Sequence, residues 1–249
     1  MRPRIAIPMP HSSDCEYAER AIPQYERAVV IAGGEPVRIE LNQNPANIKN
    51  IAQGCEGLLL PGSNADVDPA RFGQVRSTHT AASDTLREEA DFLLLEEAYA
   101  ANKPVLCICY GLQSLNVFRG GSLIQHIPEF LPQDTRTKVN HEAGRKVAVA
   151  HSVEISQDSL LSAVIGRDAV NSDHDRIEVP VNSSHHQSAD AVGTGLRLVG
   201  RCPDDGIIEA LEGTSRDHFV LAVQWHPERS VDLDKASRAI FAALMKATE

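Results

Sequence analysis

Short apolar runs alternate with helical patterns along this chain, and each run is bounded by polar or turn residues. Arg4-Ile-Ala-Ile-Pro8 predicts a first strand. Tyr17 to Ala32 has apolar residues at helical spacing, and Gly33-Gly34 supplies the stop. Glu35 to Glu40 predicts a second strand, Asn47 to Gln53 a short helix, and Gly57-Leu-Leu-Leu-Pro61 a strand buried on both faces. Ser83 to Ala101 is the clearest helix: Ser83 or Asp84 can cap it, and Leu86, Ala90, Leu93, Leu94 and Ala98 trace its faces. Val105 to Ile108 is a further apolar strand, with a helix after it. Strands alternating with helices predict a mostly parallel sheet covered on both sides.

Beyond Pro128 the pattern loosens. Lys146 to Ile155 and Leu196 to Gly200 read as strands. Ile207 to Glu212 and Phe219 to Trp225 read as a strand pair, turning through Glu212 to Asp217, and Asp234 to Ala247 as a terminal helix. The stretch Phe130 to Arg145 is polar and contains Pro132, which predicts an irregular connection. With no internal repeat and no linker-like tract, residues 1–249 read as one domain.

Composition narrows the function. The formal net charge is −10 and no Lys/Arg block is long enough to track phosphates, which argues against a nucleic-acid partner. The N-terminal segment is interrupted by Pro8 and Pro10 and does not read as a signal peptide, and no apolar run is long enough for a membrane span. Five scattered cysteines, Cys15, Cys55, Cys107, Cys109 and Cys202, fit reduced thiols, so a cytoplasmic location is expected. No Cys/His group has zinc-ligand spacing, and neither a metal nor another cofactor is expected.

The chemistry concentrates in Lys103-Pro-Val-Leu-Cys-Ile-Cys109-Tyr-Gly111-Leu-Gln113. A strand runs into a tight turn and then a helix, the layout of a nucleophile elbow. Gly111 gives the clearance that such a turn needs, and it selects Cys109 over Cys107 as the reactive thiol. On a regular strand the two sulfurs would share a face. The helix N-terminus favours a thiolate at Cys109. Val223-Gln-Trp-His226-Pro-Glu228 follows another apolar strand and offers a base with a carboxylate to orient it and favour its imidazolium. Leu60-Pro-Gly62-Ser63-Asn64 turns at a strand end, where main-chain N–H groups of Gly62 and Ser63, together with that of Tyr110, can form an oxyanion hole.

These segments resemble the class I glutamine amidotransferase-like superfamily, and within it the peptidase C26 group of gamma-glutamyl-gamma-aminobutyrate hydrolases and gamma-glutamyl hydrolases. The elbow, the Leu60-to-Pro69 segment, Val181-Asn-Ser-Ser-His-His-Gln187 and Val223-to-Glu228 carry the likeness, supported by Asp84 with Arg87, Gly120-to-His126 and Asp205-to-Ala210. The resemblance implies a flavodoxin-like three-layer α/β/α sandwich. It implies a hydrolase of small gamma-glutamyl amides in which Cys109 forms a thioester, His226 acts as base and then acid, and Glu228 orients it. Gln113 matches the position that holds the glutamyl amino-acid end, and the main chain of His185 and His186 would line the same pocket. The chain departs from the pattern at Cys107, Tyr110 and Ser63, where relatives commonly carry Gly, Arg and Gly; the Tyr110 side chain is expected near the pocket rim.

Two other functions fit the same residues. One is a glutaminase subunit feeding ammonia to a separate synthase partner; the other is a binding protein that has kept the fold without the activity. Under the hydrolase reading the expected partner is only the small gamma-glutamyl substrate, with a homodimer left open.

Overall fold

A computed structural model of the chain describes residues 1–166 and 177–249. The first half runs β1 (Arg4–Pro8), α1 (Cys15–Ile31), β2 (Glu35–Ile39), α2 (Pro45–Gln53), β3 (Gly57–Leu60), α3 (Thr85–Ala100), β4 (Val105–Ile108) and α4 (Tyr110–Phe118). After it come β5 (Leu123–Ile124), α5 (Ile127–Phe130), β6 (His151–Ile155), α6 (Leu160–Ile165), β7 (Ile177–Val181) and β8 (Ser188–Ala189). The chain ends with β9 (Leu196–Arg201), β10 (Ile208–Gly213), β11 (Val220–Val223) and α7 (Lys235–Lys246).

Nine strands form the central sheet in the order β2-β1-β3-β4-β11-β10-β9-β6-β7, and β5 pairs with β8 apart from it. From β2 to β11 every pairing is parallel, as the alternating pattern predicts. From β11 through β10, β9, β6 and β7 every pairing is antiparallel. Helices cover both faces, and the fold is the expected flavodoxin-like α/β sandwich.

Alternation along the strands sorts the core into two layers. Ile5, Ile7, Leu59, Leu106, Ile108, Leu221 and Val223 meet α1 and α7 on one face. Ala6, Leu58, Leu60, Val105, Cys107, Val220 and Ala222 meet α2, α3 and α4 on the other. Fully burying one such Leu or Ile contributes about 1.5–3 kcal/mol, so the parallel strands carry much of the fold's stability. Helix starts follow side-chain caps: Asp14 accepts from the Tyr17 N–H, Asn44 from Asn47 and Asp84 from Arg87. The first two caps begin α1 and α2 two residues before the sequence pattern does. No helix among the described residues is long and apolar enough to cross a membrane.

Differences from the sequence pattern cluster between Pro128 and Asp190. The strand expected from Lys146 is regular only over His151–Ile155. β7 was not anticipated; it carries Pro180, which an edge strand tolerates because one side of its ladder is unpaired.

Candidate active site

The elbow sits at the carboxyl end of β4, between β3 and β11. Ladder bonds hold β4 on both sides, and the Cys109 N–H donates to the Val223 carbonyl at 2.8 Å. Cys109 itself has φ 54° and ψ −109°, a left-handed backbone that non-glycine residues rarely adopt. This turn breaks the strand alternation. Cys107 stays in the α3/α4 layer with no exposure, whereas Cys109 joins the opposite cluster, so the two sulfurs do not share a face. Gly111 is required where it stands: a Cβ there would fall on the main chain and side chain of Leu60.

Three parts of the chain meet at Gly62, just past β3. The point where a side chain on Gly62 would begin lies 3.0 Å from His226 Cε1 and 3.5 Å from Cys109 Cβ. His226 and Cys109 therefore flank the same spot, 117 residues apart in sequence. His226 Nδ1 bonds Glu228 Oε1 at 2.8 Å, which leaves Nε2 as the ring's other nitrogen. Both side chains are buried. Asn182 fastens the His226 main chain: its Oδ1 accepts from the His226 N–H at 3.0 Å and its Nδ2 donates to the His226 carbonyl at 2.9 Å. Asn182 lies in the quoted loop motif, but only the fold brings it to His226.

Burial governs the resting protonation. It pushes the Cys109 thiol up to about 12, outweighing Arg229 and the contact of the Tyr110 N–H. It also pulls His226 below its ordinary value despite the attraction of Glu228. Glu228 is held below the usual carboxylate range, because His226 and Arg229 overcome its desolvation. The free site is thus a thiol beside a neutral imidazole. The sequence argument from the helix N-terminus, which favoured a thiolate and imidazolium, is corrected here by desolvation.

The main-chain donors divide. The Gly62 N–H donates to Tyr25 Oη at 3.0 Å in the interior, so it is spent within the protein. Ser63 and Tyr110 are the expected oxyanion donors that line the small cavity with Cys109, about 100 Å³ in volume. Arg87 sets the position of this wall. Fully buried, it donates to the Pro61 carbonyl at 2.6 Å, the Pro10 carbonyl at 2.9 Å and Asp91 Oδ1 at 2.7 Å. Its guanidinium also stacks over the Tyr110 ring. That ring is 1% exposed and packs with Ala65, Val67, Val117 and Leu123, so it is a core side chain and not a rim residue.

Gln113, His185 and His186 all line the cavity. The Gln113 NH2 donates to the Gln187 carbonyl at 3.2 Å and to Gln224 Oε1 at 3.3 Å, leaving its carbonyl oxygen for a ligand. The expected main-chain role of the two histidines is reduced: the His185 N–H donates to His141, and the His186 carbonyl accepts from Ile127. The His186 ring instead reaches Asp66 Oδ1 at 3.0 Å. A wider cleft of about 570 Å³ opens on the other side of His185 and His186, walled by Leu131 and residues 136–142. As for metals, the fold gathers His141, His151, His185 and Glu209 from positions with no recognisable spacing.

The peptidase C26 family model matches residues 7–228. Gamma-glutamyl-gamma-aminobutyrate hydrolase PuuD of Escherichia coli K12 is 30% identical over 230 residues, which is 91% of this chain and 85% of the enzyme. The glutamine amidotransferase-like protein RP404 of Rickettsia prowazekii is 27% identical over 90% of this chain and 88% of its own length. Among solved structures, the glutaminase domain of Trypanosoma brucei CTPS superposes with a TM-score of 0.62 at 17% identity, covering 99% of this chain and 93% of that one. Family and relatives agree on an enzyme of hydrolase or amidotransferase-like type. The chain belongs to the peptidase C26 family of the class I glutamine amidotransferase-like fold.

Proposed function

We propose that the protein hydrolyses gamma-glutamyl amide bonds of small amines or peptides through a thioester on Cys109. The observation that carries this reading is the meeting of Cys109 and the Glu228-oriented His226 at Gly62. In the attack step the Cys109 S–H proton passes to neutral His226 Nε2 as sulfur bonds to the amide carbonyl carbon. The negative charge on that carbonyl oxygen is received by the N–H groups of Ser63 and Tyr110. Collapse breaks the C–N bond, and His226 returns its proton to the leaving amine. Water then attacks the thioester and gives a proton to His226; the C–S bond breaks, His226 returns that proton to the sulfur, and glutamate leaves with the Cys109 thiol restored.

A thiol resting neutral suits this order of events, because the base acts only once an acyl group is in place. The Gln113 carbonyl oxygen suits the ammonium of the glutamyl end. The cleft beyond His185 and His186 is the proposed seat of the amine half. Location in the cytoplasm, where thiols stay reduced, is part of the same proposal.

A panel of gamma-glutamyl amines, gamma-glutamyl peptides and glutamine tests the reading, with Cys109→Ser as control. Hydrolysis of a gamma-glutamyl amine in preference to glutamine, lost in Cys109→Ser, is expected. Turnover of glutamine alone, rising only when a synthase is added, would favour the glutaminase-subunit alternative suggested by the amidotransferase-like relatives.

A further inference from the structure

Behind the loop that walls the Cys109 cavity, four buried side chains converge from distant parts of the chain. His141 precedes β6, His151 begins it, His185 follows β7 and Glu209 lies in β10. Their relative exposures are 4%, 8%, 5% and 0%. Glu209 Oε1 lies 3.2 Å from His141 Nδ1, 3.4 Å from His151 Nε2 and 3.5 Å from His185 Nε2. All four atoms fall within 4.8 Å of one another. Yet none of them makes a hydrogen bond, and neither does Glu209 Oε2.

Buried polar atoms are normally paired, and five unpaired ones at one spot require an explanation. Protonated imidazoles paired with Glu209 across 3.2–3.5 Å would supply one, yet these contacts do not satisfy hydrogen-bond geometry. The far nitrogens point the other way. His151 Nδ1 meets the Ser152 carbonyl at 3.0 Å, and His185 Nδ1 meets the Gln187 carbonyl at 2.9 Å. A carbonyl only accepts, so these nitrogens carry hydrogens, and in a neutral ring the Nε2 atom then keeps its lone pair. His141 Nε2 meets Asp205 Oδ2 at 2.8 Å, the carboxylate–histidine arrangement that orients metal ligands. With the three rings in their neutral forms, Nδ1 of His141 and Nε2 of His151 and His185 direct lone pairs at the same centre as the Glu209 carboxylate.

We propose that His141 Nδ1, His151 Nε2, His185 Nε2 and Glu209 form a buried four-coordinate Zn²⁺ site. Bonds of about 2.0–2.2 Å to nitrogen and oxygen give a tetrahedron with edges of about 3.3–3.6 Å, which the three nitrogen–oxygen separations approach. A majority of imidazole ligands selects a transition ion over Mg²⁺ or Ca²⁺. Glu209 and Asp205 together balance the ion's charge. Four protein ligands leave no open position, so the metal's role is to fix structure. It ties His185, and with it the Ser184–Gln187 wall of the cavity, to β6 and β10. The site is independent of the reaction proposed above and is tested without it.

Zinc content of the purified chain is measured by mass spectrometry. The chain is then stripped with a chelator, checked for folding by circular dichroism, and titrated with ZnCl₂, with Co²⁺ as spectroscopic probe. About one ion per chain, intense visible bands of tetrahedral Co²⁺ and a raised thermal midpoint are expected. Glu209→Gln and His151→Gln should each weaken binding more than about 100-fold, Asp205→Asn by about 10–100-fold. Cys202→Ala, which alters a neighbour of Asp205, should leave it unchanged. Co-purified zinc whose removal unfolds the chain also supports the site. Folded wild-type protein that takes up no Zn²⁺ overturns the proposal, and so does uptake unaffected by both Glu209→Gln and His151→Gln. Because the wild-type titration decides by itself, a variant that fails to fold leaves the test intact.

Discussion

Two histidine–carboxylate groups lie on neighbouring strands of this protein and are built to opposite designs. After β11, His226 and Glu228 share one direct hydrogen bond of 2.8 Å, and Asn182 grips the histidine backbone. On and around β10, Glu209 faces three imidazoles at 3.2–3.5 Å with no hydrogen bond among them. In the first group the carboxylate fixes one nitrogen so that the other is free to move a proton. In the second, outer acceptors fix every ring so that the inner nitrogens converge. Residue type and burial are the same, and direction alone separates a proton-transfer pair from a ligand set. The loop from Asn182 to Gln187 touches both, holding His226 at one end and contributing His185 in its middle.

Variants that act on one group and spare the other sharpen this contrast. The largest effect is expected for Cys109→Ala, which should lower kcat for gamma-glutamyl amide hydrolysis by at least about 10³-fold with folding retained. His226→Ala should follow at roughly 10²–10⁴-fold. Neither should change metal content, and a loss of zinc in either would merge the two groups.

Glu228→Gln is expected to cost about 10²-fold in kcat and to move the pH profile in a set direction. The working form needs a neutral His226, and burial already holds that residue below the usual value of about 6.5. Activity should therefore persist into acid below that value. Glu228 pulls His226 upward, so its removal should shift the acid limb of kcat/KM to still lower pH. A limb that moves to higher pH contradicts the assignment.

Gly111→Ala tests the elbow's geometry without touching a titrating group. The added methyl meets the Leu60 backbone, and about 2–3 kcal/mol of stability should be lost, lowering Tm by roughly 5–10 °C. The smallest effect is expected for Asn182→Ala, about tenfold in kcat, through two lost bonds to the His226 backbone. If KM moves and kcat does not, Asn182 positions substrate and not the imidazole.

The parallel half of the fold was legible because each of its strands is an apolar run punctuated by Pro or Gly and followed by a helical period. Gly57–Leu60 and Val105–Ile108 needed no more than that. The elbow was equally plain, since Gly111 marks a tight strand-to-helix turn, although its partner Leu60 is seen only in the fold. What stayed hidden depends on contacts between distant residues. Burial of Cys109 reverses the thiolate expected from the helix end, and Tyr25 takes the Gly62 N–H across 37 residues. Ring packing beneath Arg87 withdraws Tyr110 from the rim. The histidine cluster draws on positions 141, 151, 185 and 209, whose spacing resembles no local ligand motif. β7 was unread because Pro180 argues against a strand until its edge position is known.

At neutral pH a plain alkylating agent should label the exposed Cys15 well before Cys109, whose thiol is buried and pushed up to about 12. A gamma-glutamyl electrophile should reverse that order, because it binds beside His226. The most direct test of the central claim is therefore peptide mass mapping after brief exposure to such an electrophile. One gamma-glutamyl adduct on Cys109, absent in Cys109→Ala and slowed in His226→Ala, is the predicted result. An adduct on Cys15 or Cys107 in its place, or no adduct from a protein that still turns the amide over, would contradict it.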